Sequence, residues 1–388
     1  MSDTLAVLDA LPAADDFYTR YWNAHPFLVR GAVNAALIDR LIAPEELAAL
    51  SMEETARARL VSGADWSCRF GPFVEDDFSA DRDDAPWSLL VQNVDQFHPD
   101  TADLLRVFDF APRWLMDDVM VSFSTAGGGI GGHVDRYHVF LVQGHGRRRW
   151  TIGRAPITDE VYLDGLDLKI LKDPVDGETV EVGPGDVLYV PPRFAHEGTT
   201  LEDALTFSVG FLGPQTSDLL EDFGLFLADN GTLDDLYVGA GLGVDSAGFV
   251  LSPDTLDALR ERLSSALSTP AFEVWLASFL TASTSVDAAH TATRDDALDT
   301  SEFTAALRAA GGVVKPAYVK FALVPSTESS SRSAYTLGVN RRTFRIDDAA
   351  LAMVLKLMAE EPVPFDVPGD HADLLCALYN LQALEFAG

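Results

Sequence analysis

The sequence predicts an α+β protein in three parts: an antiparallel β-sandwich or barrel, a helical segment, and a compact α+β tail with a winged-helix-like pattern. Three observations predict this. DVMVSFSTAGGGIGGHVDRYHVFLVQGHGRRRWTIG, from Asp118, and ETVEVGPGDVLYVPPRFAHEGTTLEDALTFSVGFLG, from Glu178 to Gly213, are rich in β-branched and aromatic residues and broken by Gly and Pro turns. After Pro214 apolar residues recur at helical spacing. From about Ser301 helix-like and strand-like runs alternate.

Residues 1 to about 120 mix short helical and strand patterns, including the amphipathic LIDRLIAPEELAALS and the aromatic-rich FYTRYWNAHPFLVRGAV. The stretch from Asp118 reads as strand, loop, strand, tight turn, strand. In the stretch from Glu178, Gly-Pro-Gly-Asp and Pro-Pro mark turns between short strands, the spacing of an antiparallel sandwich or barrel. Residues 1–213 are thus one domain. SDLLEDFGLFLAD and SPDTLDALRERLSSALSTPAFEVWLASFL follow as helices, the second opened by Ser252 as N-cap with Pro253 in the first turn. TASTSVDAAHTATRDDALDT reads as a linker that closes the helical segment, 214–300. The tail, 301–388, places helical SEFTAALRAA, DDAALAMVLKLMAE and HADLLCALYNLQALEFA around strand-like AYVKFALVP and SAYTLGVNRRTFRID, a two-stranded wing flanked by helices.

With 388 residues, 47% of them hydrophobic, the chain can bury a sizeable core. Its first residues, MSDTLAVLDALPAADDFYTRYW, lack the basic and apolar regions of a signal peptide, and no apolar run reaches the ~18 residues of a membrane span. Cys68 and Cys376 lie far apart without CxxC spacing, which argues against a disulfide framework and thiolate zinc. A cytoplasmic protein with no membrane partner is expected. The formal charge of −32 repels nucleic acid and attracts basic polypeptides, although most of these charges read as solvation. The tail has 8 Lys and Arg against 10 Asp and Glu, so it lacks the basic face of a DNA reader.

The chemistry concentrates in GGHVDRYHVFLVQGHGRRRW. Side chains alternate along a strand, so His133 and Asp135 share a face and reach one metal together. His196 lies 61 residues after Asp135, past the turn-rich YVPPRFAHEG. Two histidines and one carboxylate form the facial triad of non-haem Fe(II) oxygenases, with positions left open for cosubstrate and oxygen. If the electron source is 2-oxoglutarate, its distal carboxylate needs a cation, and Arg147-Arg148-Arg149 follows by one hairpin. Alternation leaves two choices: Arg148 points inward, or its two neighbours do. His138 is read as packed and His145 as exposed. The Gly127-Gly128-Gly129 run, with no GK[ST] after it, marks close backbone approach rather than a phosphate loop.

These residues resemble the JmjC-type (cupin-like) ribosomal oxygenases, especially the bacterial ribosomal protein arginine hydroxylases. The resemblance extends through YWNAHPFLVRGA, WSLLVQNVDQFHPDTADLLRVFDFAPRWLMDDVMVSFS, GGGIGGHVDRYHVFLVQGHGRRRW and GPGDVLYVPPRFAHEG, and with the order of the three parts it covers essentially the whole chain. Gly132 and His138 depart from it, standing where the family carries a proline and an acidic residue. The resemblance implies a double-stranded β-helix barrel, with His133, Asp135 and His196 as iron ligands and Arg148 on the distal carboxylate of 2-oxoglutarate. It implies a helical dimerisation segment, hence a homodimer, and a winged helix that supports the fold and does not bind DNA. The implied reaction uses O2 and 2-oxoglutarate to hydroxylate a side chain of a basic large-subunit ribosomal protein, an arginine at its β-carbon. The competing readings are a small-molecule cupin oxygenase and a metal-binding regulator with a DNA-binding winged helix.

Overall fold

Runs of valine, leucine and aromatics too short for helices can satisfy their backbone only by pairing with one another. In the computed structural model, which describes residues 5–63, 65–78, 85–231, 235–239, 242, 250–282, 293–327, 333–364 and 371–387, they pair into two sheets. The strands are β1 (Ala6–Leu8), β2 (Phe27–Val29), β3 (Ala58–Ser62), β4 (Cys68–Phe70), β5 (Trp87–Val91), β6 (Met116–Ser124) and β7 (His133–Val134). They continue with β8 (His138–His145), β9 (Arg148–Pro156), β10 (Gly177–Val182), β11 (Val187–Val190), β12 (Phe194–Thr200) and β13 (Ala204–Phe211). A nine-stranded sheet runs β1-β2-β11-β8-β13-β6-β5-β3-β4, and a four-stranded sheet runs β10-β9-β12-β7. Apart from the parallel β1–β2 pair, the pairings in both sheets are antiparallel.

Strand alternation decides what faces the interior. Met120, Ser122 and Ser124 of β6, Val139 and Leu141 of β8, and Thr206 and Ser208 of β13 line a cavity between the sheets. The opposite faces are also buried. Phe140 of β8 packs against Phe17, Phe108, Tyr189 and Phe211. Each such phenylalanine contributes about 2–3 kcal/mol on burial, and covering both faces explains why these strands read as nearly continuous apolar runs.

Two buried carboxylates tie β6 to the short helix Val94–Phe97. The Asn93 N–H donates to Asp118 Oδ2 (3.0 Å) and the Val119 N–H to Asp95 Oδ1 (2.9 Å). Burial, followed by the charges of Asp117 and Asp95, pushes Asp118 up to about 7. A carboxyl raised in the folded state binds its proton more tightly there, so its contribution to stability is greatest below about pH 4 and is lost as pH rises to about 7. Asp118→Asn keeps an acceptor for Asn93. Denaturant titrations should therefore show the variant gaining on the wild type by about 1.4 kcal/mol per pH unit across that window, and a constant difference would refute the assignment.

The chain groups into two compact units that divide at Gly213 and Pro214. In the second, helices Thr216–Asp229, Pro253–Ala266 and Pro270–Phe279 precede helices Thr300–Ala310, Asp348–Met358 and Ala372–Asn380. Ser252 caps its helix by accepting from the Thr255 N–H, and Asp299 with Glu302 forms a capping box. The strand-like runs of the tail make three antiparallel strands where two were expected: β15 (Phe321–Pro325), β16 (Ser333–Val339) and β17 (Arg342–Asp347). Asn340 and Arg341, both at positive φ, turn β16 into β17. A second small sheet joins β14 (Gly312–Val314), β18 (Val363–Pro364) and β19 (Glu385–Phe386). Half of the linker expected at 281–300, residues 283–292, lies outside the described residues. Among the described residues no helix is long and apolar enough to cross a membrane, and Cys68 and Cys376 are free.

Candidate metal centre and anion pocket

Register brings the two histidines together. β12 runs antiparallel to β7 with His196 directly opposite His133, so the imidazoles project side by side, their centroids 4.2 Å apart. Strand β7 ends at Val134, and Asp135 reaches the site from the following loop, not from the strand face that the His-x-Asp spacing suggests. The loop is held at Asp135, whose carbonyl accepts from the Arg193 N–H (2.7 Å) and whose carboxylate hydrogen-bonds the Tyr137 hydroxyl. Asp135 Oδ2 then lies 3.5 Å from His196 Nε2 and 4.0 Å from His133 Nε2. One ligand atom from each residue falls within 4.8 Å of the others, a group able to hold a metal ion.

Both imidazoles are turned for coordination through Nε2. Nδ1 of His133 sits 3.0 Å from the Gly131 carbonyl, and Nδ1 of His196 sits 3.0 Å from that of Phe194. A carbonyl only accepts, so Nδ1 holds the proton and Nε2 keeps its lone pair. Burial, with the neighbouring His133 adding to it, lowers His196 to about 4, which leaves it neutral near pH 7. Burial and the adjacent Asp135 raise the Tyr137 hydroxyl, so it stays a donor.

The arginine run resolves in favour of its middle member. Arg147 and Arg149 point outward and share Glu181 of β10 at 2.5 and 2.8 Å. Arg148 is 4% exposed and makes no ion pair among the described residues. Its Nη1 donates to Thr206 Oγ1 (3.3 Å), its Nη2 reaches the Gly198 carbonyl at 3.5 Å, and its carbon Cζ stacks 4.8 Å from the Trp150 ring centre. Nε of Arg148 and Oγ1 of Thr200, its cross-strand neighbour, are buried without a partner. Burial lowers Arg148 to about 10. A desolvated guanidinium with unused N–H groups and no carboxylate suits an anion supplied from outside.

Arg148 and the three metal-competent residues line one cavity of about 370 Å³, a volume that fits a small dicarboxylate beside a side chain. The segment between β9 and β10 covers part of it: Ile170 is buried, and the Leu171 N–H bonds the Gly132 carbonyl (2.7 Å). Glycine lets the walls close. A Cβ on Gly129 would sit 2.4 Å from the Gly198 carbonyl, and one on Gly198 would sit 2.7 Å from the Trp150 ring and 2.9 Å from Arg148 Nε. Gly198→Ala should thus push Arg148 and Trp150 aside and weaken anion binding about tenfold while metal binding is retained, for a strain of about 1–3 kcal/mol. Titrating metal and dicarboxylate separately into the variant checks this.

His138 is packed, as expected, against Trp22 (centroids 3.4 Å apart) with Nδ1 2.7 Å from the Tyr189 hydroxyl, and His145 is exposed. Three polar residues that support the site, Tyr137, Thr206 and Gln143, are not among those the sequence pattern singles out. Tyr137 continues the period of two from His133 and Asp135, and Thr206 and Ser208 are polar at alternate places in an apolar strand, so a signal existed for each. Gln143 carries none, because its polarity is spent on the carbonyl of His145 and on Leu205 and Thr206, 62 and 63 residues away.

A JmjC domain is matched over residues 103–219. The chain is 37% identical over 278 residues to the ribosomal protein uL16 3-hydroxylase of Escherichia coli K12, covering 69% of this chain and 71% of that protein. It is 38% identical over 209 residues to a probable ribosomal oxygenase of Haemophilus influenzae, covering 53% and 51%. It superposes with a TM-score of 0.79 and 30% identity on the structure of YcfD, a ribosomal oxygenase from E. coli, in complex with cobalt and 2-oxoglutarate, covering 96% of this chain and 98% of that one. Sheet architecture, site geometry and these likenesses agree, and the chain belongs to the JmjC-domain ribosomal oxygenases.

Proposed function

We propose that this protein is an Fe(II)- and 2-oxoglutarate-dependent oxygenase that hydroxylates a side chain of a basic large-subunit ribosomal protein, an arginine at its β-carbon. The observation that carries the reading is the pairing, in one cavity, of a His-Asp-His cluster with a buried arginine that has no carboxylate partner among the described residues. His133 and His196 would bind the metal through Nε2 and Asp135 through its carboxylate. The metal so held, with 2-oxoglutarate and O2, supplies the oxidising power for an unactivated C–H bond. The donor set fits: two imidazoles with Nε2 turned inward and a carboxylate suit a divalent metal, and a buried guanidinium without a carboxylate partner among the described residues suits a distal carboxylate.

The chain's own part is placement. The carbonyls of Gly131 and Phe194 fix the imidazole planes, and Tyr137 fixes the rotamer of Asp135. Arg148, gripped by Trp150 and Thr206, would hold the distal carboxylate of the cosubstrate, and the histidines line the same cavity. Ile170 is buried and the walls meet closely at Gly129 and Gly198, which desolvates this end of the site and strengthens each of these contacts. Residues 1–213 have 17 Lys and Arg against 35 Asp and Glu, so the acidic field is that of the whole unit, while the cavity lining is mixed, with Asp167 offset by Arg59 and Lys169. That field favours encounter with a cationic substrate and weakens with salt.

The helical segment 214–300 is proposed to mediate homodimerisation, and 301–388 to be a winged-helix-like support that does not bind DNA. Leu220 and Leu225 on one helix and Leu256 and Leu263 on another are exposed, apolar surface that a second copy would cover. Light scattering should show a dimer for the wild type and a monomer for Leu263→Asp, and a wild-type monomer would refute this assignment.

The functional reading is tested by mass spectrometry of large-subunit ribosomal protein fragments incubated with the protein, Fe(II), ascorbate and 2-oxoglutarate. One added oxygen on arginine is the expected result. Succinate without modified protein would discard the substrate, and neither product would discard the activity.

A further inference from the structure

The contact between Arg148 and Thr206 depends on a residue outside the cavity lining. Gln143 is 1% exposed, deep in β8. Its amide Nε2 donates to two backbone carbonyls, of His145 (2.7 Å) and Leu205 (3.1 Å). Carbonyls only accept, so both amide hydrogens are committed and the amide cannot flip: the reverse orientation would set three oxygens against one another. Gln143 Oε1 is therefore held as an acceptor, and it accepts from Thr206 Oγ1 at 3.1 Å. A threonine hydroxyl has one hydrogen. With that hydrogen spent on Gln143, the oxygen can offer only lone pairs to Arg148 Nη1, 3.3 Å away.

We infer that Gln143 is a positioning residue for the cosubstrate site: by fixing the polarity of the Thr206 hydroxyl, it orients Arg148 for an incoming carboxylate. The chain runs from backbone to amide to hydroxyl to guanidinium, each link with one permitted direction. Without Gln143 the hydroxyl is free to turn its hydrogen toward the cation, and Arg148 loses its nearest side-chain acceptor. A neutral acceptor is the right choice here. A carboxylate at Thr206 would pair with Arg148 and compete with the ligand, whereas a polarised hydroxyl holds the guanidinium and leaves its charge available. This inference rests on the proposed role of Arg148 as the 2-oxoglutarate anchor.

The test is calorimetric titration of 2-oxoglutarate into the Mn(II)-loaded full-length protein under anaerobic conditions, together with steady-state turnover of the cosubstrate by the Fe(II) enzyme, resolved into KM and kcat. Thr206→Val and Gln143→Met are each expected to weaken 2-oxoglutarate binding about tenfold, the size of one buried hydrogen bond to a charged group. KM should rise by the same factor, and the rate at saturation should stay essentially unchanged. Thr206→Ser, which keeps the hydroxyl, should restore binding. The double variant should bind no more weakly than Thr206→Val, because Gln143 acts only through that hydroxyl. Mn(II) affinity should not move in any of them. If Arg148→Met abolishes binding while Gln143→Met and Thr206→Val bind like the wild type, the inference fails and the role of Arg148 stands. Additive losses in the double variant also overturn it. If the wild type binds no 2-oxoglutarate, the cosubstrate reading and the inference fall together.

Discussion

His133→Ala is expected to abolish 2-oxoglutarate turnover, by at least about a thousandfold, and to leave the fold intact. Losing an outer partner of a metal ligand costs about 10–100-fold, and loss of the ligand itself removes more. The structural cost is small. His133 sits half-buried at the end of a two-residue strand, and its imidazole bonds the Gly131 carbonyl, in its own loop. Thermal unfolding of the metal-free variant should stay within a few degrees of the wild type, consistent with about 1 kcal/mol. Turnover retained by a folded His133→Ala would refute the metal assignment. Turnover lost together with the fold would be resolved by His133→Gln, which keeps the volume and a donor for Gly131 but not the imidazole ligand.

Arg148→Met should separate function from stability in the opposite sense. Binding of 2-oxoglutarate is expected to weaken by about a hundredfold or more, the roughly 2–5 kcal/mol lost when one member of a buried charge pair is truncated. The fold should gain. Burial lowers Arg148 from its ordinary 12.5 to about 10, a desolvation cost on the order of 3 kcal/mol. The partly compensating contact with the Trp150 ring returns about 1–2 kcal/mol. Methionine fills most of the same volume without a charge, so denaturant unfolding of the apo-protein should show equal or greater stability. A destabilised variant with unchanged 2-oxoglutarate affinity would mean that Arg148 is a structural residue. The expected pair of results, a fold that gains and a cosubstrate that is lost, is the pattern of a site where binding supplies the missing counter-charge.

Much of this was legible from local pattern. The two β-rich stretches, the change to helices at Pro214, the N-cap at Ser252 and the glycine run as a close approach all follow from residue type and spacing, and the structure has each of them. So did the arginine run as a unit with two faces. Alternation along β9 states that Arg148 opposes its neighbours but not which side is inside. That is decided by β10, whose Glu181 draws Arg147 and Arg149 outward, and by β13, whose Thr206 receives Arg148. The third strand of the tail sheet was missed for a similar reason: SAYTLGVNRRTFRID reads as one run, and it becomes two strands only where Asn340 and Arg341 turn it and β16 pairs with β17.

Residue type and spacing alone specify which residues could do chemistry: a His-x-Asp pair, a later histidine past a turn, three arginines and the strands to hold them. Strand type, turn positions and ligand identity are local properties, written in side-chain size, branching and charge. Which of those residues meet depends on how the strands pair. His196 stands opposite His133 because β12 and β7 pair in one register, and a slip of one residue would put the two imidazoles on opposite faces of the sheet. The direction of the Thr206 hydroxyl depends on Gln143, which depends in turn on the carbonyls of His145 and Leu205. Register and hydrogen-bond direction belong to pairs of groups far apart in the chain, so they exist only once the sheets have closed.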